Sequence, residues 1–183
     1  RAAVAAALTI DPQLPEAIVA DACLKYFYEW DWAAGFLETF KLRLPETERE
    51  NTYRFNLANL YFRKKDYARA MDLLRHVEFR DKLHNLDARR MLLRMYFETG
   101  ETDALESLLD SFETYIRRQK DLGYHGENYL NLIRLTRKLL QTPVGEKLTR
   151  KKLTTEIVAT KALAEREWLL EKIQDYDAPI RGL

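Results

Sequence analysis

Residues 51–77, NTYRFNLANLYFRKKDYARAMDLLRHV, contain two helical patterns and the break between them. Leu57, Ala58 and Tyr61 fall at helical spacing ahead of Lys65-Asp66, and Tyr67, Ala70, Leu74 and Val77 resume that spacing after it. The small residues Ala58 and Ala70 suit a close crossing of the two helices. Working outward, the dipeptide Tyr61-Phe62 recurs as Tyr26-Phe27 and Tyr96-Phe97, a period of 35 residues. Asp31, Asp66 and Glu101 fall into one column, and Trp32, Tyr67 and Thr102 into the next. A fixed period of this size marks a stack of helical hairpins, since one hairpin alone cannot bury its apolar face.

The pattern resembles the tetratricopeptide repeat, a helix-turn-helix unit of about 34 residues with small and aromatic residues in this order. Three copies span residues 16–50, 51–85 and 86–120. In the third, Leu92, Leu93, Tyr96, Gly100, Leu105, Leu109 and Phe112 take the family's columns. In the first, Pro15-Glu16-Ala17 matches the repeat opening, Asp31-Trp32 the start of the second helix and Gly35 the small position. Residues 1–15, with Ala2–Leu8 followed by Asp11-Pro12, read as the end of a preceding repeat, so the chain is expected to be part of a longer repeat protein. After Lys120 the repeat decays. His125–Leu140 reads as one amphipathic helix, and Glu146 to about Tyr176 as one long helix with Leu153, Ile157, Thr160, Ala164 and Trp168 along its stripe. These two helices in residues 121–183 are expected to cap the array. The fold class that follows is all-α: a right-handed α-solenoid of antiparallel hairpins with C-terminal capping helices, residues 1–183 forming a single helical-repeat domain.

Composition agrees with this class. Six glycines and five prolines are concentrated where turns are wanted, and no strand-like alternation stands out. The single cysteine, Cys23, has no partner for an internal disulfide and lies in the apolar pattern Ala17–Tyr28, which points to a buried thiol in a reducing, cytoplasmic setting. No apolar run reaches the length of a membrane span, so no membrane is expected. The net charge is +1, with five basic and nine acidic side chains in residues 1–50 against 25 and 20 in the remainder.

The chemistry-bearing residues do not assemble into a catalytic motif. His76, His84 and His125 are scattered, and there is no Gly-rich phosphate loop or nucleophile elbow. Glu98, Glu101, Asp103 and Glu106 could be drawn together around a metal, but they bracket Gly100, where acids serve the start of the helix near Thr102. No catalytic residue, cofactor or metal is therefore expected. The family resemblance implies instead a concave groove lined by the first helix of each hairpin. Its contact columns map onto Phe27 in the first repeat, onto Phe55, Asn59, Phe62 and Arg63 in the second, and onto Arg90, Arg94 and Phe97 in the third. Asn59, Arg90 and Arg94 could hydrogen-bond a peptide backbone or carboxylate. The family's carboxylate clamp is not expected: Asn56 fits its middle column, but Ala20, Leu24, Asp87 and Met91 do not fit the others.

The expected function is a non-catalytic scaffold for a peptide or partner protein. The alternative is a regulatory or nucleic-acid-associated module using the basic clusters of residues 117–152: Arg117-Arg118, Arg134, Arg137-Lys138 and Arg150-Lys151-Lys152.

Overall fold

The structure, a computed structural model, describes residues 46–75, 77, 82–119, 121–143 and 146–175 and the isolated positions Thr9, Leu37 and Lys41. The expected end of a preceding repeat and most of the first repeat, including Phe27 and Cys23, lie outside the described residues, as does His76. Seven helices and no strand occur among the described residues: α1 (Glu46–Arg63), α2 (Tyr67–Arg75), α3 (Lys82–Thr99), α4 (Thr102–Arg118), α5 (Gly123–Leu140), α6 (Lys147–Ala159) and α7 (Arg166–Asp175). The chain divides into two compact units between Thr99 and Gly100, within the third repeat. Helices α1 and α3 each begin ahead of the repeat borders at Asn51 and Leu86, because those borders follow the dipeptide period rather than a helix cap.

In the first unit, α1 and α2 form an αα-hairpin. Lys65 takes φ 60. Its N–H donates to Phe62 O at 3.0 Å and the Asp66 N–H to Tyr61 O at 2.9 Å, which satisfies the carbonyls left open at the end of α1. Asp66 then caps α2: its carboxylate accepts from the Arg69 N–H at 3.4 Å and its carbonyl from the Ala70 N–H. The turn is closed by backbone geometry within three residues, where the sequence places the break. Gly100, one period later, repeats the left-handed conformation at φ 73, followed by α4 at Thr102.

The core of this unit joins Phe55, Ala58 and Phe62 of α1 to Ala70, Met71 and Leu74 of α2 and Ala88, Met91 and Met95 of α3. Ala58 and Ala70 are fully buried, as a close crossing requires.

In the second unit α4 buries Leu105, Leu108, Leu109, Phe112 and Ile116, a stripe at intervals of three and four. It packs on α5, with the Phe112 and Tyr129 rings 5.7 Å apart. Helix α5 spans the expected His125–Leu140 and buries Gly126, Leu132, Ile133, Leu135, Thr136 and Leu139, with Tyr129 and Leu140 half-buried. A Cβ at Gly126 would stand 3.3 Å from the Leu122 Cβ, so a side chain there would need Leu122 to give way by a few tenths of an ångström.

The single long helix expected from Glu146 to about Tyr176 is corrected by the structure. Helix α6 ends at Ala159, Thr160 is extended (ψ 113), Glu165 turns left-handed (φ 56) and α7 begins at Arg166. No glycine or proline marks this corner. It is held from outside: Asn131 Nδ2 of α5 donates to Ala162 O at 2.8 Å, and the Ala164 N–H to Asn128 O at 3.3 Å. The Arg166 guanidinium donates to the carbonyls of Ile157, Val158, Thr160 and Lys161. Trp168, Leu169 and Ile173 of α7 are buried in consequence.

Candidate binding surfaces

Helices α1 and α3, the first helices of the second and third repeats, pack against each other. They bring together several of the residues expected in the groove, though in two different roles. Phe55 and Phe62 are core residues, 6% and 8% exposed, because they share one stripe with Ala58 at i, i+3 and i+7. Phe55 meets His84 of α3 edge-to-face at 5.0 Å. Two cations lie against the Phe62 ring: the Arg94 guanidinium is 5.0 Å and that of Arg90 5.9 Å from its centroid. Arg90 also donates to Asp87 at 3.1 Å. At the rim, Asn59 Oδ1 accepts from the Nε of the exposed Arg63 at 3.3 Å, and Phe97 is half-buried. Asn56 bonds back to Thr52 O on its own helix.

In the second unit four members of the basic clusters, Arg117, Arg134, Arg137 and Lys138, are paired with carboxylates. Glu113 accepts from Arg117 at 2.7 Å and from Arg137 at 2.5 Å, and Arg137 also reaches Asp110 at 2.6 Å. Hydrogen bonds from Arg137 first, then Arg117, hold the Glu113 carboxyl below its ordinary range, and Glu113 in turn raises Arg137. Glu156 is bound by Arg134 and, through both oxygens, by Lys138 at 2.8 and 2.7 Å. The Lys138 bond leads in lowering its pKa, with Arg134 adding to it against the opposing effect of burial. Glu113 and Glu156 escaped the sequence reading because Arg137, Arg134 and Lys138 lie on another helix, α5; only the i, i+4 spacing of Glu113 and Arg117 hinted at a pair.

Between the end of α5 and the first turns of α6 lies a cleft of about 340 Å³. Lys138, Gln141, Thr142, Thr149, Lys152, Leu153 and Glu156 line it.

Elsewhere, Glu101 precedes α4 without a side-chain capping bond, and Asp103 lies in that helix's first turn. Among the described residues no group of three His, Cys, Asp or Glu side chains could hold a metal ion, and no helix is long and apolar enough to cross a membrane. Comparison with known proteins finds no matching family model, curated protein or solved structure.

Proposed function

We propose that the chain is a non-catalytic interaction scaffold of the tetratricopeptide type, holding a peptide or partner protein against the α1/α3 face. The observation that carries this reading is the juxtaposition of the first helices of two successive repeats, with Arg90 and Arg94 of one laid over Phe62 of the other. Phe55 and Phe62 form the apolar backing of the surface, while Asn59, Arg63, Arg90, Arg94 and Phe97 supply its polar and aromatic contacts. Hydrogen-bond donors on a packed apolar backing suit a peptide's carbonyls and carboxylates. The nucleic-acid alternative is weaker, because a phosphate strand would have to compete with Glu113, Asp110 and Glu156 for Arg117, Arg134, Arg137 and Lys138.

The test is selection of binding peptides from a random library, followed by amide-shift mapping. Shifts should centre on Asn59, Arg63, Arg94 and Phe97, and the pair Asn59→Ala and Arg63→Ala should weaken binding while moving stability by no more than about 0.5 kcal/mol. Peptides that map only to other faces would overturn the reading. So would strong binding of mixed DNA or RNA that survives the double change and collapses between about 50 and 200 mM salt.

A further inference from the structure

We propose that the cleft between α5 and α6 binds the oxyanion group, carboxylate or phosphate, of a small polar ligand. This goes beyond the scaffold reading and does not rest on it, since no residue is shared with the α1/α3 face. The volume of about 340 Å³ falls within the range of small-ligand sites.

The charges decide what fits. Glu156 supplies the carboxylate of the lining, and it is already matched by Arg134 and Lys138. An ammonium group has three donors, of which Lys138 spends two on Glu156, leaving one for a ligand. Lys152 is exposed and has no acidic partner among the described residues. Arg134, Lys138 and Lys152 thus outnumber the two carboxylates in and beside the cleft, Glu156 and the Thr149-bonded Glu146, and an incoming anion adds to the cluster rather than breaking a pair in it. The Thr142 hydroxyl donates to Lys138 O at 2.7 Å and the Thr149 hydroxyl to Glu146 Oε2 at 2.5 Å. Their oxygens therefore serve as acceptors for hydroxyl or amide groups on the body of the ligand. Gln141 adds a side-chain amide, and the buried Leu153 an apolar floor. A single oxyanion needs only Lys138 and Lys152. An extended polyanion would need cations that other carboxylates hold.

The experiment titrates the whole chain with sodium phosphate, sodium acetate and, as an ionic-strength control, sodium chloride, following backbone amide shifts. Phosphate or acetate should give saturable shifts centred on Thr149, Lys152 and Glu156. Saturation by phosphate alone identifies a phosphate-bearing ligand and by acetate alone a carboxylate. Lys152→Gln should weaken binding about tenfold, the loss of one charge-assisted hydrogen bond. Lys147→Gln, exposed on the same helix but outside the lining, should bind as the parent chain does. Shifts that chloride reproduces, shifts that never saturate, or equal losses in the two variants would overturn the proposal.

Discussion

Replacing Arg166 tests whether the α6–α7 corner is held by tertiary contacts. Its guanidinium donates to four carbonyls at the end of α6, of which those of Ile157 and Thr160 are partly buried and those of Val158 and Lys161 exposed. The exposed pair can be taken over by water, so the loss comes mainly from the partly buried pair. A hydrogen bond to a charged group contributes roughly 1.5–3 kcal/mol. With discounting for the half-exposed site, Arg166→Met should cost about 2–4 kcal/mol while keeping the aliphatic stem. In a unit of this size that lowers the melting temperature by roughly 10–20 °C. Arg166→Lys, with a compact charge in place of the planar fork, should recover less than half of the loss. Thermal unfolding followed by circular dichroism reads both effects. If Arg166→Met melts within about 0.5 kcal/mol of the parent, the carbonyl clamp is not what holds the corner. A gain of helical signal at unchanged stability would refute the argument more fully, since residues 160–165 would then have closed into a continuous helix.

The two left-handed turns should respond in opposite directions. Lys65→Gly relieves the side-chain clash at φ 60 and should stabilise by about 0.5–1 kcal/mol, offset in part by the entropy of glycine, whereas Gly100→Ala should destabilise by about 1 kcal/mol through the backbone alone. Urea midpoints moving the same way in both variants would contradict the shared turn geometry. The lowered pKa values of Glu113 and Glu156 fix the sign of a pH effect. Both carboxylates bind protons less readily folded than unfolded, so their contribution is complete above the ordinary value of 4.5 and is lost as pH falls through their lowered folded values. The pair Glu113→Gln and Glu156→Gln should therefore be less stable than the parent at pH 7 and converge with it in acid; stability curves that stay parallel from pH 7 to 3 would exclude the linkage.

Sequence alone determined the features whose physics is local. The 35-residue recurrence placed the breaks at Lys65 and Gly100, because a turn built from a left-handed residue and a following acid is specified within a few positions. Leu105, Leu109 and Phe112 of the α4 stripe and the extent of α5 were legible for the same reason, as a face buried on one side leaves its period in the chain. Phe55 and Phe62 mark where this reasoning reached its limit. Their column suggested a groove, but their common face with Ala58 made them core, and only the packed helices fix how far that face is covered. Tertiary structure alone decided the corner after Ala159. Lys161-Ala162-Leu163-Ala164-Glu165 favours a helix by propensity, and that preference yields to Asn128, Asn131 and Arg166, which satisfy freed backbone groups from outside the segment. It also decided the cleft. Glu156 meets Arg134 and Lys138 across separations of 22 and 18 residues, and no local pattern records a pairing that depends on how α5 and α6 pack.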